Sequence, residues 1–246
     1  DGRQEREEAQ MGQWIIPPAM RPQAVVFDMD GLMVDTERVI KYTWDVTGER
    51  MGYKNFGDNI LHTLGKNRDQ RNEYFRKTYG ENFPLQDFLD GYHQVYAQYE
   101  KEHGIPKKKG LMELLKTLRK MEIPMGVATS THGEHAVPEL ERQGVLPYFQ
   151  AVVTGDQVTK GKPDPEIYSL ACRKLGADPQ ESLALEDSYS GIRSAAAAGM
   201  KVIMIPDLLT DESPVADCLF GKMESLDQVA RQLEENPVSI PQVIGR

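Results

Sequence analysis

The stretch AVVFDMDGLMVDTE, residues 24–37, joins an apolar run directly to a pair of aspartates. Ala24-Val25-Val26-Phe27 shows no polar alternation, as expected of a strand buried on both faces of a parallel sheet. It runs straight into Asp28-Met29-Asp30-Gly31, which places two carboxylates at the carboxyl end of a central strand. Open α/β sheets bind their ligands at that edge.

Reading outward from this stretch, Asp35-Thr36-Glu37 offers an N-cap and a first-turn acid for a helix that carries Ile40, Trp44 and Val46 toward a core. Between Phe56 and His103 only helical patterns occur, separated by Gly57, Gly65, Gly80 and Pro84. From Gly110 helices and strands alternate. Strands are expected over 124–129, 149–153, 182–186 and 202–205, with a last short one over 217–220. Such alternation means a parallel sheet with right-handed crossovers. The expected fold is therefore α/β: a doubly wound, Rossmann-like core from segments 22–37 and 108–246, with an all-helical cap over 38–107 inserted after the first strand. Residues 1–21, charged and then broken by proline, read as a flexible leader.

A chain of 246 residues with 39% hydrophobic and 27% charged residues is an ordinary globular composition. Its net charge of −9 and pI near 5.2 argue against nucleic-acid and membrane-surface binding, which call for a basic face. The basic run Lys107-Lys108-Lys109 reads as a solvated loop. Cys172 and Cys218 stand in no metal or redox spacing, and no apolar run approaches the roughly 18 residues of a membrane span. A monomer in a reducing cytoplasm is the expected state.

The strand ends share one chemistry. Asp28 and Asp30 follow the first strand, Thr129-Ser130-Thr131 the next, and Glu186-Asp187 the strand SLALE. Any one of these alone reads as a cap or turn residue, but three ends with the same character point to one crevice. Two rival motifs fail. An EF-hand loop opening at Asp28 would need Gly where Met33 stands and Glu where Val39 stands. Lys66 in LGKNRD lacks the Ser or Thr and the upstream Gly of a phosphate-binding loop. His132 and His135 read as helix surface, and Lys160 as a loop lysine. Lys162 precedes Pro163, which favours an extended backbone there, and offers counter-charge to the carboxylates. Asp164 before Pro165 reads as an N-cap.

DMDGLMVDTE, VATST, KGKPDPEIY and LEDSYSGIRSAAAAG, in this order across residues 24–199, resemble the haloacid dehalogenase superfamily of phosphohydrolases, in its helical-cap branch, similar to phosphoglucomutase-like phosphatases. The resemblance implies a Mg2+-dependent phosphatase acting on a small phosphorylated substrate. It implies Asp28 as nucleophile, Asp30 as general acid and then base, and Lys162 as the catalytic cation. Thr129, Ser130 and Lys162 would bind phosphate; Asp28, the Asp30 carbonyl, Glu186 and Asp187 would hold Mg2+; and Gly65, Lys66 and Arg68 would meet the substrate from the cap. A sugar-phosphate mutase is the alternative: Ile40 stands where mutases of this group carry a cap histidine, while Arg68 stands where they bind a second phosphate. A non-catalytic metabolite sensor is the third reading, disfavoured because a binder needs no nucleophile paired with its acid.

Overall fold

The structure, a computed structural model, describes residue 16 and residues 20–235. Six parallel strands form one sheet in the order β3-β2-β1-β4-β5-β6, where β1 is Val25–Phe27, β2 Met125–Ala128, β3 Ala151–Val153, β4 Leu183–Glu186, β5 Lys201–Met204 and β6 Gly221–Lys222. Successive side chains point to opposite faces, so each strand feeds two cores. Val25, Phe27, Met125, Val127, Leu183, Leu185 and Ile203 pack with α4 (Leu111–Lys120), α5 (Gly133–Arg142) and α8 (Leu226–Glu235). Val26, Ala128, Ala184, Val202 and Met204 pack on the other face with α6 (Glu166–Leu175) and α7 (Tyr189–Ala197).

Between β1 and β2 the chain is helical: α1 (Thr36–Arg50), a 3-10 helix over Phe56–His62, α2 (Arg68–Tyr79) and α3 (Leu85–His103). This insert has its own aromatic core, in which the Trp44 ring meets Phe75 edge-on at 5.2 Å and Phe88 at 5.6 Å. It joins the sheet through two neighbouring linkers. Val34 bridges Lys107, the Asp35 amide donates to Pro106 O at 2.9 Å, and the Lys108 amide donates to Met33 O at 2.8 Å.

Several local expectations change. The last strand lies at Gly221–Lys222 rather than 217–220, because the 3-10 turn Ser213–Val215 runs on, with the Cys218 amide donating to Val215 O at 2.9 Å. Asp35 stands at the N-cap of α1 but makes no side-chain capping bond; it pairs with Arg38 at 3.3 Å instead. Helix α6 opens at Glu166 behind Pro165, and Asp164 Oδ1 accepts from the Glu166 amide at 3.0 Å. The Lys162–Pro163 peptide is cis. Lys108 is no solvated lysine: its ammonium donates to the buried Asp207 carboxylate at 2.6 Å. Most of the expected leader lies outside the described residues, but Ile16 within it is buried in the main core and its amide donates to Gln232 at 3.0 Å.

Candidate active site

Strand register assembles the site. β1 lies between β2 and β4 with Phe27 level with both Val127 and Leu185, so Asp28, Ala128 and Glu186 leave the sheet side by side. One step further on stand Thr129 and Asp187. The Asp28 amide is fixed by Leu185 O at 3.0 Å and the Thr129 amide by Val153 O at 3.0 Å.

Lys162 reaches this edge from the loop ahead of α6 and is 1% exposed. Its ammonium donates to Asp28 Oδ1 at 3.0 Å, Glu186 Oε1 at 2.6 Å and Ala128 O at 3.1 Å, which uses all three of its hydrogens. Burial works against its charge, yet Asp28 and Glu186 outweigh burial and raise its pKa. Glu186 is held from all sides: the Tyr168 hydroxyl donates to Oε1 at 2.5 Å, and Oε2 accepts from the Asp187 amide at 3.2 Å and the Ser188 hydroxyl at 3.3 Å.

Asp28, Glu186 and Asp187 bring carboxylate oxygens within 4.8 Å of one another, all buried. Three buried carboxylates face one buried lysine, and among the described residues no second cation is ion-paired with them. Burial, reinforced by Glu186 and opposed by Lys162, lifts Asp28 to about 7, and burial with Asp28 and Glu186 raises Asp187 well above the usual range. Asp187 Oδ1 is buried without a hydrogen-bond partner. An all-oxygen donor set, surplus charge and an orphaned acceptor fit a hard divalent cation such as Mg2+.

Asp30 faces a different environment. Thr36 Oγ1 donates to its Oδ1 at 2.8 Å and Thr131 Oγ1 to its Oδ2 at 2.7 Å, while burial raises its pKa against those two bonds. Thr131 belongs to the Thr129-Ser130-Thr131 strand end expected at this crevice, whereas Thr36 lies in the segment expected to open α1; their joint grip on Asp30 follows from the fold. Asp30 lies at the wall of a cavity of about 720 Å³ between sheet and insert, lined also by Ser130, Thr131, Ile40, Lys66 and Arg68.

The insert closes over that cavity through specific bonds. Ser130 Oγ donates to Gly65 O at 2.9 Å, Ser190 Oγ to Leu64 O at 3.3 Å, and Gln70 to Lys162 O at 3.1 Å. Gly65 has φ +74°, and a Cβ there would lie 2.3 Å from both Ser188 Oγ and Ser190 Oγ, so glycine alone permits this approach. Gly65 thus serves as a contact between insert and core rather than as cavity wall. Arg68 reaches the cavity but is ion-paired with Glu134 at 2.8 Å. Arg71, one turn further along α2, also lines the cavity; its guanidinium donates to Tyr92 OH at 2.8 Å and has no carboxylate partner among the described residues. Thr129 lies beneath the cavity, fully buried, its Oγ1 accepting from the Thr131 amide at 3.1 Å. His132, half-buried, precedes α5 and His135, exposed, lies in its first turn; both line the cavity, so they are not helix surface alone.

Together these features gather carboxylates, hydroxyls and one buried lysine at the carboxyl edge of a doubly wound sheet. The family model for haloacid dehalogenase-like hydrolases matches residues 25–205. The chain belongs to that family and is an enzyme. It is 31% identical to a phosphorylated carbohydrates phosphatase of Thermotoga maritima, over 74% of this chain and 83% of that one. It is 30% identical to validoxylamine A 7'-phosphate phosphatase of Streptomyces hygroscopicus, over 71% and 81% of the two chains. Among solved structures, CbbY from Rhodobacter sphaeroides in complex with phosphate superposes with a TM-score of 0.71 at 25% identity, over 85% of this chain and 96% of that one. Among the described residues no helix is long and apolar enough to cross a membrane.

The raised carboxylates carry a stability consequence for the metal-free protein. A proton that binds Asp28 near pH 7 in the folded chain binds near 3.8 in the unfolded one, so folding takes up protons between these values. Asp30, Glu37 and Asp187 shift in the same direction. Stability present below the unfolded value is therefore lost as pH rises toward 7. In chelator, Tm should be lower at pH 8 than at pH 5.5, and added Mg2+ should raise it more at pH 8, where fewer protons compete. A metal-free Tm that climbs from pH 5.5 to 8 would contradict the carboxylate assignment.

Proposed function

We propose that the protein is a Mg2+-dependent phosphatase of small phosphorylated metabolites that works through an aspartyl-phosphate on Asp28. The observation that carries this reading is the convergence of Asp28, Lys162 and Asp187 beside a hydroxyl-clasped Asp30, which lines the cavity between sheet and insert. An Asp28 oxygen attacks phosphorus and forms the acyl-phosphate bond while the ester P–O bond breaks. Asp30, whose raised pKa suits a proton donor, gives its proton to the departing oxygen. It then takes a proton from water, whose oxygen attacks the phosphorus and releases Asp28 and inorganic phosphate.

The Thr129 and Ser130 edge would hold the phosphate oxygens, while Lys162, its three hydrogens taken by Asp28, Glu186 and Ala128 O, would draw the phosphate by its charge and keep Asp28 ionised. Bound at Asp28, Asp187 and the Asp30 carbonyl, Mg2+ would offset the charge of the carboxylates and the phosphate. Glu186, already saturated by Lys162, Tyr168 and Ser188, would orient Lys162 rather than coordinate directly. The insert over the cavity of about 720 Å³ favours small substrates, and its closing on a bound one would shield the intermediate from bulk water. Ile40 lines that cavity and carries no proton to exchange, which favours water over a sugar hydroxyl as final acceptor.

The test is phosphate release from a panel of sugar, polyol and nucleoside phosphates with Mg2+, with chelator, and with Mg2+ restored. Turnover that stops with chelator and returns with Mg2+ is expected. Chelator-resistant turnover would overturn the metal assignment. With a hexose 1-phosphate and a trace of the bisphosphate, isomer forming faster than phosphate would replace the phosphatase by a mutase.

A further inference from the structure

Asp207, three residues past the end of β5, belongs to none of the motifs above, and its side chain is fully buried. Its two oxygens differ. Oδ1 accepts from Lys108 Nζ at 2.6 Å and pairs with Arg38 at 3.2 Å, whereas Oδ2 is buried without a partner. Gly31 shows where Oδ2 points. A Cβ built on Gly31 would fall 2.3 Å from Asp187 Oδ2 and 3.0 Å from Asp207 Oδ2, so the two carboxylates converge on one bare Cα. Asp187 Oδ1 lacks a donor too.

An ionised carboxylate oxygen accepts and never donates, so the buried Asp207 Oδ2, with no partner among the described residues, calls for a donor that these side chains do not supply. We propose that Asp207 is a positioning residue of the cation pocket, its Oδ2 accepting a hydrogen bond from water held by the divalent cation. Asp207 stands outside the set of carboxylates whose oxygens gather within 4.8 Å, which favours contact through water over direct ligation. The same carboxylate grips both linkers of the insert: Arg38 follows the outgoing linker and Lys108 ends the returning one. Asp207 thereby ties the cation pocket to the joint on which the insert is mounted.

The proposal rests on the cation site proposed above, and the two fail separately. Calorimetric titration of the full chain with Mg2+ comes first; a wild-type protein that binds no Mg2+ removes the site itself. Given binding, Asp207→Asn should weaken Mg2+ by about tenfold, on the scale of lost outer-shell partners, measured well below the melting transition because loss of the buried pairing with Lys108 and Arg38 also lowers the metal-free Tm. Lys108→Gln keeps Oδ2 and removes only a partner of Oδ1, so its Mg2+ affinity should stay near the wild-type value. Unchanged affinity in Asp207→Asn overturns the proposal, and so does an equal loss in Lys108→Gln, which would make Asp207 an anchor for the linkers alone. Should Asp207→Asn fail to fold, amide exchange of the unaltered protein decides: Mg2+ should slow exchange over residues 205–209, and no slowing overturns the proposal.

Discussion

Asp28→Asn is expected to give a folded protein whose phosphate release falls by a factor on the order of 10⁴ to 10⁶, the scale seen when a covalent nucleophile is removed. The substitution changes charge and nucleophilicity with almost no change in shape. An amide oxygen still accepts from Lys162 Nζ, now at 3.0 Å from Asp28 Oδ1, and Glu186 still pairs with the ammonium at 2.6 Å. The amide cannot donate the electron pair that forms the acyl-phosphate, so the first chemical step is lost, not slowed by misplacement. Removing one of three buried carboxylates also relieves repulsion on Asp187, whose pKa is raised in part by Asp28. The metal-free variant should therefore melt no lower than wild type, and its Mg2+ affinity should drop. Phosphate release within tenfold of wild type, from protein free of wild-type carry-over, would move the nucleophile elsewhere.

Much of this centre is legible in the residue pattern because it hangs on backbone geometry. An apolar run ending in Asp28 fixes a strand end, and parallel register then brings Glu186 and Thr129 beside it without any side-chain knowledge. Lys162 was readable as counter-charge but not as a buried residue bonded to two carboxylates, since a loop lysine before proline looks the same when exposed. Residues that act through tertiary contacts were harder to see. Thr36 and Thr131 clasp Asp30 from positions 6 and 101 residues away, and a threonine near a turn has many local explanations. Glu37 looked like a first-turn acid for α1, yet it is buried, and burial reinforced by Asp30 and Asp28 raises its pKa well above the usual range. Lys108 is hidden in a basic run, and Asp207 belongs to none of the motifs quoted; only the fold brings them within 2.6 Å of each other.

Lys162→Met tests whether the buried ammonium serves catalysis or folding, and the two roles predict different sizes of effect. Methionine fills similar space without charge, which leaves Asp28 and Glu186 facing each other with no cation between them. Breaking a buried pair by removing one partner costs about 3 to 5 kcal/mol, but here protonation offers relief. Lys162 opposes the rise in Asp28 pKa, so without it Asp28 should hold its proton to a higher pH. Stability should then fall modestly at pH 6 and more steeply at pH 8, with Mg2+ restoring part of it. Turnover should fall by roughly 10² to 10³, about 3 to 4 kcal/mol, the scale of deleting one preorganised charge aimed at the transition state. Because the protonated carboxyl is no nucleophile, the pH at which kcat/KM reaches half its maximum should also move upward. A folding role alone would lower Tm and leave both kcat/KM and its pH midpoint unchanged in the folded fraction. A loss in kcat/KM under about threefold, on the scale of deleted transition-state charges, together with an unmoved midpoint, would remove Lys162 from the chemistry and leave it as the ion that lets three acids share one pocket.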